Sequence, residues 1–207
     1  MNSVKIKQVD PMLISHRLLA QLGELIKTTG YFQYSCMNNK LGVSYSDLIQ
    51  LKFILPHLVF TKYILDERGN VAGYFVAVTK QQYDNISHDQ EDDWHRESHT
   101  LQRLLKTLHI LSARMDDTDY FLDYFAVRFD LQGMPWKENT SVADVLWQEL
   151  VRDARINGKK NIVLLVWESH RKAVKYYERQ GGIVTERSNL KDTAVNDVLL
   201  LMKIPLR

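Results

Sequence analysis

The segment from His170 to Gly181 (HRKAVKYYERQG) carries the most ordered spacing in the chain. Ala173, Tyr177 and Gly181 recur every four residues, directly after the apolar run Asn161 to Val166 (NIVLLV). Taken alone, Tyr177 reads as a packed helix tyrosine. A tyrosine phenol is also a group able to give a proton. Asp123 stands among Phe121, Leu122 and Phe125, where a carboxylate either takes up a proton or pairs with a basic neighbour. Asn139, Thr140 and Ser141 precede an amphipathic segment and are good N-cap types. The start of a helix offers unpaired N–H donors and the positive end of the dipole, which suit an anion such as phosphate.

Other candidates carry less. His95 and His99 are spaced as helix metal ligands can be, but the zincin pattern places Glu directly after the first His, and Arg96 stands there. A solvated polar face is the better reading. The run Asp89 to Asp93 (DQEDD) reads as a helix-start charge cluster, or as an attractor for amines near a cleft. Cys36 has no partner motif and, as the one cysteine, forms no internal disulfide.

These groups need a scaffold, and 207 residues that are 45% hydrophobic and 25% charged suffice for one globular domain. A formal net charge of +2 gives no reason to expect nucleic acid or an anionic membrane as partner. No stretch approaches the ~20 apolar residues of a spanning helix, and Met1 to Pro11 lacks a signal-peptide core. The expectation is a soluble, cytoplasmic protein with no metal.

The patterns predict the positioning elements. Val4 to Val9 alternates as a half-buried strand, and Leu13 to Thr28 has helical apolar spacing, with Gly30 as a stop. A second apolar-periodic stretch covers Leu48 to Leu58, interrupted by Pro56. Phe60 to Leu65 and Val71 to Thr79 flank the turn formers Asp66 to Asn70 and predict an antiparallel hairpin. Residues 80–118 read as an insertion, with an acidic helix start at 88–93 and a long helix over 94–115. Beyond it, strands are predicted at Tyr120 to Val127, Asn161 to Val166, Ile183 to Glu186 and Asp197 to Ile204. Helices are predicted at Ser141 to Asn157 and Arg171 to Gln180. Strand–helix alternation of this kind predicts an α/β fold with a mixed sheet.

The order of elements and the HRKAVKYYERQG segment resemble the GNAT N-acetyltransferases, whose signature is N-x-x-A-x-x-x-Y-x-x-x-G. Leu122 to Arg128 resembles the family's fourth strand, and the hairpin around Gly69 its second and third. The resemblance covers 1–207 as a single domain, apart from the insertion at 80–118. It implies a mostly antiparallel sheet with one splayed parallel pair and helices on both faces. It also implies acyl transfer from acetyl-CoA to a primary amine by direct attack in a ternary complex, and it allows a homodimer.

Carried over residue by residue, Tyr177 is the general acid. Asp123 stands where diamine N-acetyltransferases carry a carboxylate, and so is the base. Backbone groups of Phe125, Ala126 and Val127 would bond the pantetheine arm. Gln132 and Gly133 fall in the pyrophosphate loop, with Asn139, Thr140 and Ser141 at the following helix start. His170 and Ala173 lie on the CoA side of the signature helix. The acceptor would be an amine-bearing small molecule or peptide.

The chain departs from the family at that loop. The pattern Q/R-x-x-G-x-G/A is matched at Gln132, but Pro135 and Lys137 occupy the two glycine positions. Proline has no N–H to give a phosphate, and only glycine lets the backbone approach closely. Either the anion site moves forward to Asn139–Ser141, or CoA binding is weakened. The latter leaves open a catalytically degenerate GNAT-fold binding or regulatory module. His170 also replaces the signature asparagine, and Gly182 the usual phenylalanine.

Overall fold

The structure, a computed structural model, describes residues 6–29, 55–86, 106–107, 110–111, 113–136, 139–189 and 197–207. The strands are β1 (Ile6–Gln8), β2 (Thr61–Leu65), β3 (Val71–Thr79), β4 (Asp119–Val127), β5 (Asn161–Trp167), β6 (Ile183–Asn189) and β7 (Val198–Pro205). The helices are α1 (His16–Thr29), α2 (residues 80–86), α3 (Val142–Ile156) and α4 (Arg171–Arg179). The strands join in one mixed sheet, in the order β1-β2-β3-β4-β5-β7-β6. β4 and β5 run parallel, pairing Asp119–Leu122 with Asn161–Leu164. The β1–β2, β2–β3, β5–β7 and β6–β7 pairs are antiparallel. The α/β class and the parallel pair are as the sequence predicts.

The elements fall into two compact units. The first holds β1, α1, β2, β3 to Ala77, β4 from Tyr124 and α3 to Asp153. Its hairpin turns because the Asp66 carboxylate accepts the N–H groups of Arg68 (2.9 Å) and Asn70 (2.8 Å), while Gly69 adopts φ +74°. Ser15 caps α1 by accepting the Leu18 N–H at 3.2 Å. Leu22 and Leu25 of α1 then pack with Tyr63, Tyr74, Val76 and Ala126 in one apolar cluster. Gln21 ties the same helix to the hairpin, accepting the Val71 N–H (3.1 Å) and donating to Asn70 (3.0 Å).

On α3, a charged group faces the sheet. Lys62 of β2 bonds Glu149 at 2.9 Å and Asp153 at 2.6 Å, and Arg152 bonds Glu149 at 2.6 Å. Burial works against the Glu149 charge, but the bonds from Lys62 and Arg152 outweigh it and hold its pKa below the usual carboxylate value. Lys62→Met leaves these carboxylates short of a cation and is expected to lower stability by about 2–3 kcal/mol, read by urea unfolding at pH 7. A lowered folded pKa means that the unfolded chain takes up the proton first as pH falls. The stabilisation is therefore present above about pH 4.5 and lost below it. The gap between wild type and Lys62→Met should accordingly narrow toward pH 3.

The second unit holds the end of β3, α2, β4 to Asp123, β5, α4, β6 and β7. β5 is buried along most of its length, as its continuous apolar run requires. At the base of β4, the buried Asp119 accepts from Asn161 (2.9 Å) and pairs with Lys203 of β7 (2.9 Å). α2 opens with a reciprocal cap: Thr79 accepts the Gln82 N–H at 3.3 Å, and Gln82 accepts the Thr79 N–H at 2.8 Å.

That cap opens a helix, residues 80–86, that the sequence pattern did not predict ahead of the acidic run 88–93. The run itself, Cys36, the His95/His99 pair, Gly30 and most of the predicted 94–115 helix lie outside the described residues. Of the 48–58 stretch, the described part belongs to a short 3-10 helix, Leu55–Phe60, which contains Pro56. β6 runs to Asn189, past the predicted Glu186, because antiparallel pairing continues to Asn189↔Val198. Among the described residues, no helix is long and apolar enough to cross a membrane, and no three His, Cys, Asp or Glu cluster as metal ligands.

Candidate active site

The predicted site residues divide between the two units. Asp123, His170, Ala173 and Tyr177 belong to the second. α4 follows β5 after three residues, Glu168 to His170, and its C-terminal capping explains the glycine that closes the signature. Gly181 adopts φ +89°, its N–H donates to the Glu178 carbonyl at 3.0 Å, and the Gly182 N–H donates to the Tyr177 carbonyl at 2.9 Å. This pair of bonds is a Schellman ending and needs the left-handed residue that Gly181 supplies. Gly182 is constrained differently: a Cβ there would lie 2.8 Å from the Tyr177 carbonyl oxygen and 3.1 Å from Ile204 Cγ1. The close approach accounts for glycine where the family has phenylalanine.

Tyr177 is buried, 8% exposed, with its ring edge-on to Tyr176 at 5.7 Å. Burial pushes its phenol above the ordinary value, so it stays protonated through neutral and mildly alkaline pH. Asp123 is half-buried on β4, and Ala173 is half-buried on α4. His170 is the N-cap residue of α4 and makes no side-chain capping bond. Although the residue is exposed, partial desolvation of its ring and then the charge of Lys172 lower its pKa, leaving it neutral at pH 7.

Phe125, Ala126, Val127, Gln132, Gly133, Asn139, Thr140 and Ser141 belong to the first unit. Ala126 and Val127 are buried, and the Phe125 ring packs against Trp147 of α3 at 6.3 Å. After β4 the chain makes a 3-10 turn, Phe129–Leu131, and Gln132 folds back so that its amide donates to the Val127 carbonyl at 3.0 Å. Gly133 takes φ +72° and Asn139 φ +61°.

The loop uses many of its own donors. The N–H groups of Leu131, Gln132, Met134 and Trp136 bond the carbonyls of Arg128, Phe129, Leu131 and Thr140. Ser141 caps α3, accepting the Asp144 N–H at 3.1 Å and donating its hydroxyl proton to the Asp144 carboxylate at 2.6 Å. Arg128 is held by Asp66 at 2.8 Å and by Asp130 at 2.8 Å. Bonds to Asp130 and Asp66 raise the Arg128 pKa, and those from Arg128 are the main cause of the lowered Asp130 pKa. Asp144 and the paired Arg128 are the features that site reasoning from the sequence missed. Ser141-x-x-Asp144 is a visible capping pattern, whereas nothing local signals the contact of Arg128 with Asp66, 62 residues away.

No protein-family model matches the chain, and no curated protein matches its sequence. Solved structures do match its fold. Arylalkylamine N-acetyltransferase 2 from Aedes aegypti superposes with a TM-score of 0.66 at 13% identity, over 100% of both chains. A chain of the NatC complex bound to Gag peptide and CoA gives 0.60 at 14% identity, over 99% of both. A protein assigned to the GNAT acetyltransferases from Desulfovibrio desulfuricans gives 0.57 at 14%, over 99% of this chain and 100% of that one. The chain has the fold of the GNAT N-acetyltransferases.

Proposed function

We propose that the protein is an N-acyltransferase that moves an acetyl group from acetyl-CoA to a primary amine while both substrates are bound. The amine nitrogen attacks the thioester carbonyl carbon, a C–N bond forms, and the C–S bond breaks. Asp123 takes the amine proton, directly or through water, and the Tyr177 phenol gives a proton to the departing thiolate. The pantetheine arm bonds the backbone of Phe125–Val127, and His170 and Ala173 are the donor-binding residues of the signature helix. The phosphates lie against Gln132, Gly133 and Asn139–Ser141.

The observation that carries this reading is a buried, protonated tyrosine on α4, directly after the parallel pair β4–β5, in a fold shared with acetyltransferases. Matching structures that hold a peptide with CoA, or that act on arylalkylamines, support an amine acceptor of small-molecule or peptide type. The test is release of free thiol from acetyl-CoA in the presence of a panel of primary amines and peptide amino termini. Amine-dependent release is expected. Release no faster than acetyl-CoA hydrolyses alone, across the panel, would sink the catalytic reading.

The self-bonded loop favours a second reading, a GNAT-fold binding or regulatory module without catalysis. Failure to bind any CoA thioester would support it.

A further inference from the structure

The connection that leads from β4 into α3 has the wrong charge for a phosphate cradle. From Arg128 to Asp144 the chain carries two basic residues, Arg128 and Lys137, against three acidic ones, Asp130, Glu138 and Asp144. Arg128 is already bound to Asp130 and also to Asp66 of the hairpin, which adds a further negative charge beside it. Four loop N–H groups are spent on loop carbonyls, and Pro135 has none. At the start of α3, where the dipole would draw an anion, the protein has placed its own. The Asp144 carboxylate is fixed there by the Ser141 hydroxyl at 2.6 Å.

We propose that Asp144 is a specificity-determining residue of the donor site: its carboxylate opposes the pyrophosphate, so the donor is recognised mainly through its acylated pantetheine arm. This rests on the acyltransferase reading and refines its substrate class to pantetheine thioesters, with the nucleotide contributing little. Pantetheine is uncharged and bonds like a strand, so it is indifferent to the local charge. CoA adds a pyrophosphate and a 3′-phosphate that meet it.

The experiment is calorimetric titration of wild type and Asp144→Asn with CoA and with pantetheine. Asparagine keeps an oxygen that accepts from Ser141 and removes the charge, and thermal unfolding checks that the variant is folded. Wild type is expected to bind CoA no more than about threefold tighter than pantetheine. Asp144→Asn is expected to bind CoA about tenfold tighter than wild type and pantetheine equally well. Gain of CoA binding by the variant alone would also support the proposal. Wild-type preference for CoA by about a hundredfold, or unchanged CoA affinity in Asp144→Asn, would overturn it while leaving the donor site standing. Binding of neither ligand to either protein would overturn the inference together with the donor-site reading.

Discussion

Tyr177→Phe is expected to lower kcat by about a hundredfold or more, while the Kd for acetyl-CoA changes less than about twofold. The reasoning starts from packing. Phenylalanine fills the same buried space on α4 and keeps the edge-on contact with Tyr176. What is lost is one proton, aimed at a sulfur that carries charge only as the C–S bond breaks. An interaction made only at that moment affects kcat and not substrate binding.

Burial of the phenol supplies two further readouts. Because its pKa is raised, the wild-type rate should show no falling limb from this group below about pH 10. The sign for stability follows from the same shift. The unfolded phenol ionises first, so the stabilisation is whole below about pH 10 and is lost as pH rises further. Tyr177→Phe should flatten that alkaline loss. A variant with full activity would remove Tyr177 from the mechanism, whatever the stability curves show.

Gly73→Ala is expected to destabilise the protein by about 3 kcal/mol, at the upper end of what overpacking a core usually costs. Gly73 lies in β3, opposite Ile64 of β2. A Cβ there would meet the Ala126 carbonyl oxygen at 2.8 Å, Leu146 Cδ1 at 2.9 Å and Val142 Cγ1 at 3.1 Å. Leu146 and Val142 are fully buried on α3 and have little room to give, and the shortest contact is to backbone, which cannot swing aside as a side-chain end could. Thermal unfolding should register the change as a fall of roughly 6–12 °C. The strain also bears on function. Ala126 belongs to the stretch proposed to bond pantetheine, so donor affinity should fall along with stability. Unchanged stability would mean that β3 and α3 separate more easily than their packing indicates.

How far the sequence reveals these features depends on the range of each interaction. The hairpin was legible because its turn is local: Asp66, Arg68, Gly69 and Asn70 make their own bonds within five residues. The α4 ending was legible for the same reason, since Gly181 closes a helix whose apolar strand precedes it. The length of β6 was not, because its exposed, alternating residues Glu186 to Asn189 are held as strand only by pairing with β7. The two glycines at 73 and 182 look ordinary in sequence, and only the neighbours that pack against them show why no side chain fits. The loop between β4 and α3 is the sharpest case. Pro135 announced a departure from the family pattern, and the Ser141–Asp144 cap could be read from spacing. The pairing of Arg128 with Asp66, and that of Lys62 with Glu149 at a separation of 87 residues, required the fold.

The donor site is the point on which the function turns, and calorimetric titration of the folded protein with acetyl-CoA, and with CoA alongside, tests it most directly. Saturable binding of both is expected, with an affinity that Tyr177→Phe leaves unchanged. Absence of binding to either, in protein shown to be folded by its cooperative thermal unfolding, would contradict the acyltransferase reading and favour the binding module.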